Sequence, residues 1–340
     1  VIDDNGDVRW REFDPKIMKE IERCEDLYRE GQRAYCIAKG CKKDEILTKD
    51  KCRIFYGNSI VLTFLIRKYY LPILRVLQMN PKLSECAVGI NAHGPEWEEF
   101  HQHVTKFGMD RIFGGDYGKY DQKLPSQVIL AAMRILIDFA KECPGYTEED
   151  IRVMEAMSGD VVFAYIAFNG DLIGLTEGTH ISGNSLTVII NGICGSLNLR
   201  CCYYSHHPVE EFNERRKFRD YVAAMTYGDD NIGSVSEMEH DFTIKGISEF
   251  LAGYGQVYTM PDKESELLDF LPEEDLEFLK RKSVYLPELN QHVGALIEKS
   301  IFKSLHCFMR PKGTQMTEYE AVAQNVDQNL GEWFNHGKDV

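Results

Sequence analysis

The sequence predicts an α+β fold built on an antiparallel sheet, and three observations lead to that prediction. Helical and strand-like apolar patterns follow one another irregularly, without the repeated βαβ order that a parallel sheet needs. Two apolar runs within residues 220–236 flank Gly228-Asp229-Asp230, which is the pattern of a β-hairpin. A short apolar run at Arg111-Ile112-Phe113 leads into Gly114-Gly115-Asp116 and predicts a further strand.

The other elements are predicted from local periodicity. Ile17, Ile21 and Leu27 recur near helical spacing, which favours an amphipathic helix. Pro125 can open a helix, because the first helical residue needs no amide donor. In chain order, helices are predicted at residues 14–34, at 59–79 with a bend at Pro72, at 125–141, at 184–201 and at 241–254. Two short strands are predicted within residues 273–287, around Lys280-Arg281-Lys282.

The net charge of −15 limits how the chain can bind nucleic acid. A strongly acidic protein does not bind phosphate backbones over its whole surface, so any RNA channel requires a local basic patch. The basic residues that cluster in the first fifth of the chain are Lys39, Lys42, Lys43, Lys49, Lys51, Arg53, Arg67 and Lys68. We expect RNA or triphosphate contacts there.

The 10 cysteines include no CxxC pair, and this usage fits a reducing compartment. Cys201 and Cys202 with His206 and His207 are one conceivable zinc set. Adjacent cysteines near a helix end are more often packed thiols, so zinc is the less favoured interpretation.

Two acidic segments form the main candidate site. Asp116 and Asp121 follow a predicted strand, while Asp229 and Asp230 sit in a tight hairpin turn. Adjacent like charges repel in such a turn, so a bound cation is the natural compensation. Two strand ends bearing acids can hold two Mg²⁺ ions about 4 Å apart for phosphoryl transfer. The alternative is a pair of solvated acidic turns.

The helix predicted at residues 184–201 is apolar nearly all round and should be buried, yet it carries a polar stripe. Thr187, Asn191 and Asn198 lie on one face of it. A buried polar stripe is costly unless it has partners. With Ser182-Gly183 just ahead and Asp121 nearby, this face could recognise a ribose 2′-hydroxyl. The alternative is a hydrogen bond between helices that only packs the core.

Together these segments resemble the picornavirus-like RNA-dependent RNA polymerases of positive-strand RNA viruses, from about residue 35 to 305. Ala87-Val88-Gly89-Ile90-Asn91 is also similar to the family. The matching motifs, in the family's order, are F (Lys43-Asp44-Glu45-Ile46 and Lys51-Cys52-Arg53), A (Asp116 to Asp121), B (Ser182-Gly183, Thr187 and Asn191), C (Tyr227-Gly228-Asp229-Asp230), the end of D (Thr259 to Lys263) and E (Phe278-Leu279-Lys280-Arg281).

The resemblance implies a right-hand polymerase whose antiparallel-sheet palm is flanked by helices, with partial fingers and a partial thumb. The implied divisions are 1–69 (fingers with motif F), 70–141 (palm with motif A), 142–178 (fingers insertion), 179–287 (palm with motifs B to E) and 288–340 (thumb). Motif B lacks the second glycine of the family's pattern, so we expect its loop to move less freely. The N-terminal fingers with motif G have no counterpart in the sequence, and the thumb after about residue 305 is short. We therefore expect a fragment of a longer polymerase.

The resemblance also assigns roles to individual residues. Asp116, Asp229 and Asp230 would bind two Mg²⁺ ions, for which Mn²⁺ could substitute, and Lys263 would protonate pyrophosphate. Ribose selection would fall to Asp121, Ser182, Thr187 and Asn191. The triphosphate would be bound by Lys43, Lys51 and Arg53. Primer or RNA contacts would be made by Gly183, Lys280 and Arg281.

The implied activity is RNA-templated RNA synthesis in viral replication, with RNA template, RNA primer and NTPs as ligands. The family further implies a protein primer, other viral replication proteins and a place at membrane-associated replication complexes in the host cytoplasm. Two alternatives remain open. One is a reverse transcriptase, against which Asp121 and Asn191 speak, and the other is a catalytically inactive RNA-binding fragment.

Overall fold

The computed structural model describes residues 12–43, 52–175, 180–207, 217–306 and 316–337. Its helices are α1 Pro15–Arg29, α2 Ile60–Met79, α3 Pro81–Ser84, α4 Pro95–Val104, α5 Tyr120–Lys123, α6 Ser126–Lys141, α7 Glu148–Val162, α8 Thr187–Ser205, α9 Phe218–Tyr221, α10 Ile244–Ala252, α11 Glu298–His306 and α12 Glu318–Trp333. Its strands are β1 Ile37–Lys42, β2 Ile54–Gly57, β3 Ile112–Gly118, β4 Tyr165–Phe168, β5 Asp171–Gly174, β6 Val222–Tyr227, β7 Asp230–Val235, β8 Val257–Thr259, β9 Arg281–Leu286 and β10 Gln291–Leu296. None of the helices in these ranges is long and apolar enough to span a bilayer.

The chain forms two compact units, and the first comprises Val1–Leu77 with Lys119–Cys194. Its sheet has the order β2-β1-β4-β5, with β1 and β4 parallel and the other pairs antiparallel. In this unit α1 packs on α7, where the Tyr28 hydroxyl donates to Asp160 at 2.7 Å and Arg33 pairs with the same carboxylate at 2.9 Å. The buried carboxylate of Asp160 thereby joins the two helices.

The second unit comprises Gln78–Gly118 with Gly195–Val340. Its four-stranded sheet is antiparallel throughout, with the order β6-β7-β3-β8, and β9 pairs with β10 in a separate ribbon. Strands β6 and β7 are buried along nearly their whole length. Phe113, Tyr203, Phe218 and Phe242 form an edge-to-face aromatic cluster that packs the C-terminal half of α8 against this sheet.

The predicted α+β class and antiparallel sheet are confirmed, as are the hairpin and the long helices. The predicted pair of strands within residues 273–287 is wrong, because Glu273–Asp275 is a 3-10 turn and only β9 lies there. The partner strand β10 follows a turn in which Asn290 takes a left-handed φ of +49°. The division into fingers, palm and thumb stays a prediction.

Two helices that periodicity did not reveal begin at capping boxes. At the start of α7, Thr147 and Asp150 exchange side-chain and backbone hydrogen bonds, and Thr317 and Glu320 do the same at the start of α12. A Thr followed three residues later by Asp or Glu is a helix-start signal. The sequence therefore contained local evidence for both helices.

Candidate active site

The acidic hairpin of the second unit is a tight two-residue turn. Tyr227 pairs with Asp230 across β6 and β7, which leaves Gly228 and Asp229 in the loop. Gly228 has a φ of +63°, as a two-residue hairpin turn requires at its first loop position. This geometry holds Asp229 at the exposed tip and Asp230 at the first position of β7.

The sheet register brings Asp116 opposite this hairpin. Gly115 of β3 pairs with Asn231 of β7, so the next antiparallel position places Asp116 across from Asp230. Side chains directly opposite in neighbouring antiparallel strands have Cβ atoms about 4.5–5.5 Å apart. On its other edge Asp116 pairs with Thr259 of β8. The two acidic segments predicted from the sequence therefore meet on one face of the sheet.

The charges at this face influence one another. Burial, together with the like charges of Asp229 and Asp116, raises the pKa of Asp230 to about 6. Lys263 acts in the opposite direction, and its ammonium lies 2.7 Å from Asp116 Oδ2. The Lys263 side chain is 64% exposed, so it can move while keeping its charge near the acids.

The donor chemistry of this cluster fits a divalent cation. Carboxylate oxygens are the ligands that Mg²⁺ takes, and a cation would relieve the repulsion that hinders ionisation of Asp230. As the side chains stand, however, the described part of the chain contains no group of three or more His, Cys, Asp or Glu residues placed to share one metal ion. Sharing an ion therefore requires these side chains to change their positions.

A cavity of about 620 Å³ opens beside Asp116 and Asp230, and its wall includes Lys263 and Lys280. Leu279 and Lys280 form a tight turn between Phe278 and Arg281, whose backbones exchange hydrogen bonds of 2.9 and 3.0 Å. Both turn residues take positive φ values, 55° and 59°, which non-glycine residues rarely adopt. This turn places Lys280 at the cavity wall.

Arg281 makes a different set of contacts. Its guanidinium donates to both carboxylate oxygens of Glu332 at 2.7 and 2.8 Å and to the Gly294 carbonyl at 2.7 Å. The side chain is only 18% exposed. Arg281 thus joins β9 to α12, and Lys280 is the member of the predicted RNA-contacting pair that lines the cavity beside the acids.

The first unit carries the predicted triphosphate and ribose residues. Lys43 and Arg53 are joined at the ends of β1 and β2 by a backbone hydrogen bond of 2.8 Å. Lys51 lies outside the described residues. Burial raises the pKa of Asp121, while the positive charge of Arg53 lowers it. The positive charge of Arg53 therefore acts on the carboxylate of Asp121 within this unit.

Ser182 and Gly183 dock on β2. The Tyr56 amide donates to Ser182 Oγ at 3.4 Å, and Gly183 forms a parallel bridge with Gly57. A Cβ atom on Gly183 would overlap the carbonyl oxygen of Tyr56. Glycine is therefore required for this close approach of two backbones.

The polar stripe of α8 divides into three different environments. Thr187 Oγ1 donates to the Ile181 carbonyl at 2.8 Å and so closes the loop that contains Ser182 and Gly183. Asn198 Nδ2 donates to Gln256 at 3.3 Å within the second unit, which is the core-packing alternative. Asn191 is only 8% exposed, and its Oδ1 has no hydrogen-bond partner among the residues that the structure describes.

The alternative zinc set gains no support. Cys202 is buried with its thiol against the Gly246 carbonyl, and His207 pairs with Glu239 at 3.0 Å. Cys201 is exposed. Within the described ranges these residues do not form a metal-holding group.

Comparison with known proteins decides the family. The model of a family described as viral RNA-dependent RNA polymerase matches residues 3–330. The chain belongs to this family. Membership implies dependence on a divalent metal ion in general. The predicted resemblance is thereby confirmed, whereas the roles of individual residues stay predictions.

Relatives of this polymerase family member include viral polyproteins. The chain is 28% identical over 299 residues to the replicase polyprotein of Drosophila C virus, covering 85% of the chain and 16% of the polyprotein. It is 27% identical over 327 residues to the RNA1 polyprotein of broad bean wilt virus 1, covering 93% of the chain and 17% of that protein. The chain thus spans about a sixth of the length of these relatives.

The fold is also that of a solved polymerase. The structure matches the Sicinivirus 3Dpol RNA dependent RNA polymerase with a TM-score of 0.69 at 18% identity, over 98% of this chain and 67% of that one. This likeness confirms the predicted polymerase fold class. None of the relatives named here is a reverse transcriptase.

Sequence reasoning missed two buried groups in this family member. His180 is fully buried beside Asp121, whose carbonyl accepts its amide at 2.8 Å, and burial lowers the pKa of the imidazole to about 4. Glu85 is 3% exposed and is bound by Arg200 and Arg219. Neither a lone His nor a lone Glu gives a local sequence signal, so only the fold reveals them.

Proposed function

We propose that this chain catalyses RNA-templated RNA synthesis, adding ribonucleotides from NTPs to a primer 3′-end. The observation that carries the proposal is the register that places Asp116 opposite Asp230, with Asp229 at the adjoining turn. Within a family of viral RNA-dependent RNA polymerases, this is the arrangement expected of the metal-binding acids.

The acids and Lys263 would share the chemical work. Asp116 and Asp229 would hold two Mg²⁺ ions, with Asp230 supporting the second, and Mn²⁺ could replace them. Bound metal supplies charge neutralisation for the attacking and leaving oxygens. The primer 3′-hydroxyl would lose its proton to solvent as its oxygen bonds to the α-phosphorus, and the bond from that phosphorus to the pyrophosphate oxygen would break. Lys263, whose ammonium is 2.7 Å from Asp116 Oδ2, would donate a proton to that pyrophosphate oxygen.

The first unit would recognise the nucleotide. The buried Oδ1 of Asn191 can accept a hydrogen bond from a ribose 2′-hydroxyl, which would satisfy an atom that has no partner in the described chain. Asp121 and Ser182 would assist, and Thr187 would keep their loop in place through Ile181. Arg53, Lys43 and Lys51 would bind the triphosphate, and Gly183 and Lys280 would contact RNA.

The same proposal covers partners and location. RNA template, RNA primer and NTPs are the ligands, and a protein primer and other viral replication proteins are further partners. The polyprotein relatives support a viral replication setting. We place the activity at membrane-associated replication complexes in the host cytoplasm, as expected for the family.

Primer extension tests the proposal. The chain is incubated with an RNA primer–template and Mg²⁺, and NTPs are compared with dNTPs. We expect extension with NTPs, a loss on the order of 10³-fold in Asp229→Asn, and no extension without divalent metal. Preferential use of dNTPs would favour a reverse transcriptase. RNA binding without extension under Mg²⁺ or Mn²⁺ would favour an inactive RNA-binding fragment.

A further inference from the structure

Behind the acids, the opposite face of the same sheet carries a buried polar contact. Successive residues of a strand point to opposite faces, so Gly115 and Asn231 lie on the face away from Asp116 and Asp230. On that face the Tyr258 hydroxyl donates to Asn231 Oδ1 at 2.7 Å. Asn231 Nδ2 in turn donates to the Gly115 carbonyl at 3.4 Å.

This contact spans three strands. Tyr258 belongs to β8, which pairs with β3, whereas Asn231 belongs to β7 on the other side of β3. The tyrosine ring therefore crosses β3 to reach its partner. It can do so because position 115 is glycine, where a Cβ atom would lie 2.5 Å from the Tyr258 ring and 2.7 Å from the Thr259 carbonyl oxygen.

Burial makes the contact obligatory. Tyr258 is 2% exposed and Asn231 is 5% exposed, so neither polar group can turn to solvent. A buried acceptor that loses its donor carries the full cost of desolvation. Asn231 directly follows Asp230, and Gly115 directly precedes Asp116. Lys263 follows β8 along the chain, after Met260. The contact therefore joins the two strands that carry Asp116 and Asp230 to the strand that precedes Lys263.

We propose that Tyr258 and Asn231 are positioning residues that fix the spacing of Asp116 and Asp230 for metal binding. The inference rests on the proposed function, because the Tyr258–Asn231 contact would keep rigid the face of the sheet that is proposed to bind metal. Neither residue touches substrate or metal in this role. The Tyr258–Asn231 hydrogen bond acts from the rear face of the sheet by holding β7, β3 and β8 in register.

Tyr258→Phe tests this role, because it removes only the hydroxyl and keeps the ring. We expect Mn²⁺ binding, measured by electron paramagnetic resonance, and the primer-extension kcat each to weaken about 10-fold or more, as for partners that orient metal ligands. The KM for NTP should change less than twofold. The matched control Tyr254→Phe, at a 67% exposed ring, should change none of these values.

A double variant separates positioning from stability. Tyr258→Phe with Asn231→Leu replaces both polar partners by apolar groups and should recover much of the melting temperature. Under our proposal its Mn²⁺ affinity and kcat stay low. Recovery of both in the double variant, or single-variant values within twofold of the parent, would overturn the positioning role. Failure of the parent chain itself to bind Mn²⁺ or extend a primer would instead overturn the proposed function.

Discussion

Two sets of buried polar groups, one near the acidic hairpin and one in the first unit, differ in their partners. Near the hairpin, Glu85 is held by Arg200 and Arg219, and Asn231 is held by Tyr258. In the first unit, Asn191 Oδ1 and both ring nitrogens of His180 lack hydrogen-bond partners among the described residues. Burying a polar atom without a partner is costly.

Under the proposed function, the difference separates a preformed support from a set of groups that receives a ligand. The hairpin region needs fixed spacing, because two carboxylates must be held close despite their repulsion. Asn191 Oδ1 of the first unit can stay without a protein partner if a substrate hydroxyl later binds it. We therefore expect substitutions near the hairpin to lower stability, and substitutions at Asn191 to alter nucleotide choice instead.

Glu85→Gln should give the largest loss of stability. Arg200 donates to both Glu85 oxygens at 2.6 Å, Arg219 adds a bond at 2.8 Å, and the Thr226 amide and hydroxyl bind the Glu85 carbonyl just before the hairpin. Removing the charge leaves Arg200 uncompensated, and breaking a buried pair costs about 3–5 kcal/mol in the free energy of unfolding. Urea unfolding at pH 7 measures this loss.

The pH dependence supplies the check on Glu85. Burial alone would raise the pKa of Glu85, but Arg200, Ser196 and Arg219 lower it below its ordinary value. A carboxylate with a lowered folded pKa stabilises the fold above its unfolded pKa and loses that contribution as the pH falls through the folded value. The gap in unfolding free energy between parent and variant should therefore be full at pH 7 and narrow below about pH 4.

The control is Asp269→Asn, at an exposed pair with Lys245, which should cost less than about 1 kcal/mol of unfolding free energy. A gap that is independent of pH, or no larger than for Asp269→Asn, contradicts the ion-pair argument.

Gly233→Ala should cost less, about 1–3 kcal/mol, because it overfills a tight sheet. A Cβ atom at Gly233 of β7 would overlap the Ala223 carbonyl oxygen and lie 2.8 Å from the Phe113 ring. The matched control is Gly57→Ala in β2, where the nearest atom would be the Lys39 carbonyl oxygen at 3.8 Å. Thermal unfolding of both variants compares the two sheets. Equal losses would show that the hairpin sheet is no more tightly fixed than the sheet of the first unit.

Much of the site was predictable because its signals are local. The Gly228-Asp229-Asp230 turn, the strand before Asp116 and the apolar helix around Asn191 each depend on residues adjacent in sequence. The spacing of motifs then identified the family. Burial of α8 was predictable because its surface is apolar nearly all round, so any side of the helix left in water would expose apolar side chains.

The supporting contacts were not predictable, because they join distant segments. Glu85 meets Arg200 at a separation of 115 residues, and the pairing of Arg281 with Glu332 crosses 51 residues. No periodicity encodes such pairs, and Arg281 alone suggested only an RNA contact. The same limit applies to the polar stripe, where Asn191 and Asn198 look equivalent until Gln256 is seen to bind only the second.

Asn191→Ala should have the smallest energetic effect, and it concerns selectivity. If Oδ1 accepts the ribose 2′-hydroxyl, its loss should lower the ratio of kcat/KM for NTP over dNTP about 10-fold, equivalent to about 1.4 kcal/mol. Primer extension with matched NTP and dNTP pairs measures this ratio. The free energy of unfolding should change little beyond the loss of packing, since no described protein group depends on that oxygen.

Asn198→Ala is the matched control, because it changes the same residue type on the same helix. Its amide donates a hydrogen bond to Gln256 Oε1 at 3.3 Å, so its loss leaves this buried acceptor without its donor. Asn198→Ala should therefore cost about 1 kcal/mol of unfolding free energy and leave sugar selectivity unchanged. Opposite responses of the two asparagines would show that one stripe serves a ligand at one position and the protein core at the other. If both variants lost stability alike and kept full selectivity, the unsatisfied oxygen of Asn191 would have no role in sugar choice, and the distinction between the two regions would fail at its most specific point.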